Sequence, residues 1–363
     1  MTTIHYLKMI ALIVLAYVIV YAVQIPVRKK EHKVLSVLLW AVKWVLIIWF
    51  AYLLIAYASP FMWHFGYAVA ALYLALLGDV FSDAASVFLR SRVRRENQKY
   101  ITAFMTLAVS LYAIVNMHII VPTYHTYTSG KLNHTYKAVF IADLHYGSSQ
   151  RPRTVTKALN KIREEHPDYL LLGGDIVDEH TTKEEMQAIF AELGKLGIPA
   201  YYIYGNHDRQ DRGDYLGGCR YTEQELEDAI TGNGITILYN DWMQVEDDLV
   251  FLGMEDPSRP DQRIRVSDLK PRPDDAFVLC LEHTPYQNDD IKEMKADLQL
   301  SGHTHAGQLF PLRGVYALIG LNVYGDYTIG DTQLYVTSGI TGWYLPLRNE
   351  ANCSYEVITL QPE

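Results

Sequence analysis

Sulfur chemistry has little to work with in this chain: its 363 residues include three cysteines, Cys219, Cys280 and Cys353, and no C-x-x-C pair. That excludes a zinc knuckle and a thioredoxin-like redox site. Cys280 lies in the apolar run Phe277 to Leu281 and is expected as a buried core thiol. A Cys219 to Cys353 disulfide is left open. Basic residues are also in deficit, with 32 Lys and Arg against 41 Asp and Glu and a net charge of −9. No clustered cations follow Lys137, which excludes a nucleic acid partner, because phosphate backbones are held by such clusters. Internal repeats and low-complexity linkers are absent as well.

Apolar length is what the first third has in abundance. Four stretches, Met9 to Val27, Val34 to Tyr57, Phe61 to Gly78 and Ile101 to Val121, precede Lys137. Each is close to the ~20 residues a helix needs to cross ~30 Å of hydrocarbon. A cleaved signal peptide would explain the first stretch and leave the other three, so residues 1–122 are expected as a four-helix transmembrane anchor that holds the chain in a lipid bilayer. The alternative, a buried soluble bundle, requires polar faces that these stretches hardly show.

Lys and Arg beside a spanning helix are retained on the cytoplasmic side. Arg28, Lys29, Lys30 and Lys33 follow the first stretch, and Arg90, Arg92, Arg94, Arg95 and Lys99 follow the third. The Ser59-Pro60 turn carries no charge and Pro122 to Tyr136 carries only Lys131. Both termini are therefore expected outside the cytoplasm, in a multi-pass protein of the bacterial cytoplasmic membrane. Lys43, Asp79 and Asp83 are the ionisable residues in or near the hydrocarbon. They read either as a Lys43 to Asp79 pair that holds the bundle together or as an ion or lipid-headgroup site.

After a tether at 123–136, residues 137–363 alternate short apolar runs with amphipathic helical patterns, the signature of a layered α/β domain. Strands are expected at Ala138 to Ala142, Tyr169 to Leu172, Ala200 to Tyr204, Leu249 to Leu252, Phe277 to Leu281 and Asp297 to Leu300. Helices are expected at Thr154 to Glu165, Lys183 to Leu196 and Glu223 to Thr231.

Five of these strands run straight into metal-type ligands: Asp143 and His145, Asp175, Asn206 with His207 and Asp208, His283, and His303 with His305. Taken singly, each reads as readily as a turn, a helix cap or a satisfied core histidine. Taken together, at strand carboxyl ends that line the crevice of an open sheet, they would converge on one rim. Carboxylates, an amide oxygen and imidazoles without thiolate suit borderline divalent ions and exceed what one ion needs. Two ions ~3.5–4 Å apart that share a bridging carboxylate would use the whole set. His207, beside Asp208, is expected to supply a proton to a leaving group.

In this order the residues resemble the calcineurin-like metallophosphoesterase superfamily. The motifs are Asp143-x-His145, Gly174-Asp175-x-x-Asp178, Gly205-Asn206-His207-Asp208, His283 and Gly302-His303-Thr304-His305. The resemblance implies an αββα sandwich of two mixed sheets flanked by helices. It also implies one metal on Asp143, His145, Asp175 and His305 and a second on Asp175, Asn206, His283 and His303, with Asp175 bridging. His207 would contact the phosphoryl group or leaving oxygen, with Asp208 orienting it. The ions implied are divalent, Mn²⁺ first, with Zn²⁺ or Fe²⁺ as alternatives.

The stretch SGHTHAGQ from Ser301 to Gln308, the Met254 to Pro257 segment and the ending around Leu334 to Arg348 are similar to the bacterial membrane-associated YkuE/YaeI-like branch. Ser338 stands where that branch commonly has Arg, and Glu179 and His180 stand where the protein phosphatases have Arg-Gly.

The resemblance implies hydrolysis of a phosphomonoester or phosphodiester at the extracytoplasmic membrane surface, with a lipid or envelope-linked substrate suggested by the anchor. Two alternatives stand beside it. One is a UDP-2,3-diacylglucosamine pyrophosphatase-like activity, which the expected topology disfavours. The other is a non-catalytic membrane sensor or scaffold, which usually lacks a ligand that this chain retains.

Overall fold

The computed structural model describes residues 12–20, 33–56, 63–88, 98–148, 150, 152–211, 218–270 and 275–363. They fall into two compact units. The first holds the apolar helices together with Leu309–Gly314 and Leu347–Glu350, and the second holds most of the chain from Met117 onward.

In the helical unit, α1 (Lys33–Ala56), α2 (Trp63–Phe88) and α3 (Gln98–Asn116) are each long and apolar enough to cross a membrane. Residues 12–20 are also helical, and the remainder of the expected first span lies outside the described residues. Three spanning-length helices thus appear among the described residues, where four stretches were expected. Their amphipathicity is inverted relative to a soluble bundle. The α3 helix buries Thr102, Thr106 and Ser110 and leaves Phe104, Leu107 and Leu111 exposed. Small and hydroxylated residues at the helix contacts, with large apolar ones outward, is the pattern of helices solvated by lipid.

The α2 helix continues ten residues past the expected end at Gly78, so Asp79 and Asp83 sit inside it. The Lys43 ammonium lies 2.5 Å from Asp79 and 2.7 Å from Asp83. Thr102 donates to Ser82 Oγ at 3.0 Å, and Gln98 Nε2 to the same atom at 2.7 Å. The expected Lys43 to Asp79 pair is therefore present, with hydroxyls grouped around it. At Gly78 a side chain would meet Thr106 Oγ1 at 2.4 Å, so glycine lets α2 and α3 approach closely there.

The second unit contains twelve strands among its described residues. β1 (Ile120–Thr128), β12 (Cys353–Gln361), β2 (Tyr136–Ile141), β3 (Tyr169–Leu172), β4 (Ala200–Tyr202) and β5 (Ile235–Ile237) form one sheet in that order. The other runs β10 (Gly325–Ile329), β11 (Thr332–Val336), β9 (Leu298–Ser301), β8 (Phe277–Leu281), β7 (Leu249–Gly253) and β6 (Asp241–Glu246). Both are mixed. β12 is antiparallel to β2 in the first, and the two outermost pairs are antiparallel in the second.

Strict alternation along the strands sets the layers. Ala138 and Phe140 face Phe251, Leu279 and Leu300 in a core between the sheets. Val139 and Ile141 face the other way, onto α4 (Pro152–Glu164), α5 (Lys183–Gly194) and α6 (Glu223–Thr231) through Leu159, Ile189 and Leu226. On the far side of the second sheet, Val250, Leu252 and Cys280 pack on Ile291 and Met294 of α7 (Asn288–Met294). This gives the expected αββα order, with Cys280 fully buried as anticipated. All three cysteines are free thiols, so Cys219 and Cys353 do not pair.

The stretch expected to be a tether is instead largely an edge strand. β1 pairs in parallel with β12 along its whole length, from Ile120 opposite Cys353 to Thr128 opposite Gln361. Its sequence, IVPTYHTYT, is rich in β-branched and aromatic residues. Pro122 is tolerated because only one side of an edge strand must pair.

Candidate metal centre

Parallel strands β2, β3 and β4 of one sheet, and β8 and β9 of the other, deliver their following loops to one rim. In three of the five, those after β2, β3 and β9, the backbone bends sharply at the ligand residues themselves. Asp143, His145, Asp175, His303 and His305 all have positive φ, between 42° and 72°. Non-glycine residues rarely adopt that region, and such conformations persist where surrounding structure enforces them. Here it does: Asp143 N–H donates to Gly174 O, His145 N–H to Asp175 O, and His303 N–H to the Asp143 carboxylate at 3.0 Å. Two glycines make room. A side chain at Gly205 would fall 2.3 Å from Asp175 Oδ1, and one at Gly302 would fall 2.6 Å from Asp143 Oδ2.

The loops assemble two ligand groups, each with its donor atoms within 4.8 Å of one another: Asp143 with His145 and His305, and Asp175 with His283 and His303. In the first, His145 Nε2 and His305 Nε2 stand 3.3 Å apart, and His305 Nε2 is 3.6 Å from Asp143. In the second, His283 Nε2 lies 3.0 Å from Asp175 Oδ2. Asn206 Oδ1 stands 2.8 Å from His303 Nδ1, so the amide expected to join this group is beside it. Asp175 Oδ2 also lies 3.8 Å from His145 Nε2, which places one oxygen between the two groups.

The donors fit cations on grounds independent of their identity. His283 Nδ1 donates to Gly173 O at 2.7 Å, which leaves Nε2 as a lone-pair acceptor, buried and without a hydrogen-bond partner. A lone pair aimed at a carboxylate 3.0 Å away is repelled unless positive charge sits between them. Without a cation a proton must take that place: burial would depress the His283 imidazole, but Asp175 and Asp143 outweigh it and hold it well above its ordinary range. Burial opposes ionisation of Asp175, yet His283 and His207 keep it well below the carboxylate range. Burial and the neighbouring Asp175 push Asp143 up. Such coupled acids and bases collect where a cation belongs.

His207 sits beside both groups, 6% exposed, with its ring 5.5 Å from that of His145. Its backbone N–H donates to Asp175 Oδ1 at 2.8 Å. The ring partner, however, is not the expected Asp208. Nδ1 faces Glu179 at 2.8 and 2.9 Å. Burial would lower the imidazole, but Asp175 and Glu179 raise it to about 9. Asp208 accepts backbone N–H groups from Asp175, Ile176, Val177 and Gly205 instead. Consecutive residues in a tight loop send their side chains in different directions, so Asp208 organises the β3 and β4 loops and does not orient the imidazole.

Three supporting groups escaped sequence reasoning. Asp178 Oδ2 stands 3.3 Å from His145 Nδ1, and Thr341 O accepts from His305 Nδ1 at 3.2 Å. Such contacts fix ring orientation and raise basicity. The Gly-Asp-x-x-Asp spacing pointed at Asp178. Glu179 was visible only as a departure from a phosphatase motif, and Thr341 carried no signal.

Two three-residue ligand groups at the strand ends of an αββα sandwich define a candidate dinuclear metal centre. Comparison with known proteins agrees. A family model for calcineurin-like phosphoesterases matches residues 136–307. The uncharacterized metallophosphoesterase YkuE of Bacillus subtilis is 31% identical over 265 residues, covering 67% of this chain and 86% of YkuE. Phosphodiesterase YaeI of Escherichia coli is 29% identical over 247 residues, covering 62% of this chain and 82% of YaeI. An uncharacterized metallophosphoesterase of Helicobacter pylori J99 is 30% identical over 64% of this chain, which spans 62% of that relative's length. The chain belongs to the calcineurin-like phosphoesterase family.

Proposed function

We propose that this chain hydrolyses a phosphoester with two divalent cations, at the extracytoplasmic surface of the bacterial cytoplasmic membrane. The observation that carries the proposal is the position of Asp175 Oδ2, within 4 Å of an imidazole from each ligand group. Asp143, His145 and His305 would hold one cation, His283, His303 and Asn206 the other, and Asp175 both. Mn²⁺ is the first candidate, with Zn²⁺ or Fe²⁺ as alternatives: the carboxylate and amide oxygens suit Mn²⁺, and the imidazoles suit Zn²⁺ or Fe²⁺. When bound, such a pair supplies water activation near neutral pH and neutralises phosphoryl charge.

The protein's own groups do the rest. Glu179 holds a proton on His207 Nδ1, which leaves Nε2 to meet the leaving oxygen. Asp178 and Thr341 keep the His145 and His305 rings turned inward. The relative named as a phosphodiesterase supports the chemistry. Three helices long enough to span a bilayer support the location, and the basic loops support the orientation. The membrane anchor supports a lipid or envelope-linked substrate.

The test is turnover by the purified full chain in lipid nanodiscs. We expect hydrolysis of 4-nitrophenyl esters of phosphate with Mn²⁺, loss on chelation, and release of an alcohol and its phosphorylated or phosphate co-product from extracted envelope lipids. Good activity on soluble esters with none on lipids would contradict the lipid assignment. Activity untouched by chelation would contradict the metal.

A further inference from the structure

Two aromatic side chains lie against the centre without any part in holding it together. Trp343 stands 5.2 Å from His207, with the rings inclined at 34°, and 6.5 Å from His145. Tyr286 meets His303 edge to face at 5.7 Å. Both are half-buried, so part of each ring stays accessible. Neither is on a loose loop. The Trp343 backbone N–H donates to Gln308 Oε1 at 2.8 Å, and Gln308 Nε2 donates to the Trp343 backbone O at 3.0 Å. Gln308 follows His305 by three residues, so the segment that carries a metal-type ligand also clamps Trp343. Tyr286 follows His283 by three residues in the same manner.

The rings attend different ligand groups. Trp343 is on the side of His207 and His145, and Tyr286 on the side of His303. A phosphoryl group held between the two ligand groups would present its leaving oxygen to His207, and the leaving substituent would then meet Trp343, 5.2 Å from that ring. A substituent that stays on phosphorus is the one that can meet Tyr286. A monoester has no such second substituent.

Resting on the phosphoesterase reading above, we infer that Trp343 and Tyr286 determine specificity for a phosphodiester with an apolar substituent on each side. Trp343 takes the leaving substituent and Tyr286 the retained one. An aromatic contact of this kind tightens binding about 3- to 10-fold.

The test separates the two substituents by calorimetric titration of the Mn²⁺-loaded full chain in nanodiscs, which needs no turnover. The probes are methyl methylphosphonate, phenyl methylphosphonate with an aryl ester arm, and methyl phenylphosphonate with an aryl arm on phosphorus. In the wild type each aryl arm should tighten binding about 3- to 10-fold over the dimethyl probe. Trp343→Ala should abolish the gain for the ester arm alone, Tyr286→Ala the gain for the other alone, and Trp343→Phe should keep part of it. No aryl gain in the wild type, or equal weakening of all three probes in either alanine variant, overturns the inference. So does a wild type that hydrolyses 4-nitrophenyl phosphate as efficiently as its bis-ester. Absence of all hydrolysis would sink the phosphoesterase reading, while the binding pattern would still decide this one.

Discussion

At the residue scale, Asp175 is the side chain whose loss should be felt at both ligand groups. Asp175→Asn is expected to lower metal content, measured by elemental analysis of the purified chain, more than substitution of any other single ligand. Full retention of two ions in that variant would refute its bridging role. His207→Ala should lower kcat by about 10² to 10⁴-fold, the usual contribution of a positioned acid, while metal content stays unchanged. Glu179→Gln should also lower kcat, because it removes the carboxylate facing Nδ1, whereas an unaltered rate would return the orienting role to another group. The ligands were legible in the sequence because each follows directly on an apolar run. The partner of His207 was not, since Glu179 lies 28 positions away and Asp208 is adjacent in sequence but turned toward backbone amides. Adjacency along a loop says little about which side chains face one another.

At the scale of elements, the six strands and three helices expected in the α/β part are all present, within a few residues of their expected ends. Continuous apolar runs, buried on both faces, made the strands readable, and amphipathic periodicity the helices. The strands missed were β1, β5, β6, β10, β11 and β12: β1 pairs only with β12 at the far end of the chain, while β6 and β10 are half-exposed edge strands of local hairpins with few apolar residues to mark them. Two expectations follow for element junctions. Thr182 caps α5 in a reciprocal capping box with Glu185, so Thr182→Ala should destabilise the domain by about 1 kcal/mol, read from the unfolding midpoint. Asp248, in the β6 to β7 turn, accepts from the Tyr136 hydroxyl of β2 and so ties the two sheets together. Burial works against its ionisation, but Tyr136 and the Asn133 amide hold it below the usual carboxylate range. Its contribution is then complete above its unfolded pKa of about 4 and fades as pH falls through the lower folded value. The melting-temperature difference between wild type and Asp248→Asn should therefore shrink as pH drops from 7 to below about 4. A difference constant with pH would show that the carboxylate charge contributes nothing.

At the scale of the whole molecule, an inside-out helical unit and an α/β domain share one chain, and two C-terminal segments pack within the helical unit. Tyr73 donates to Phe310 O at 2.7 Å, and Asn116 donates to Arg348 O at 3.3 Å. Hydropathy announced the helices but not these returns, because Leu309–Gly314 and Leu347–Glu350 look like ordinary loops. A reporter active in only one compartment, fused after Glu363, should be active outside the cytoplasm, and cytoplasmic activity would reverse the topology. The central claim, that loops from two sheets enclose paired cations, is tested most directly by anomalous diffraction from crystals grown with Mn²⁺. Two peaks about 3.5–4 Å apart, with Asp175 between them, are predicted. A single peak, or peaks remote from His145 and His283, would contradict it.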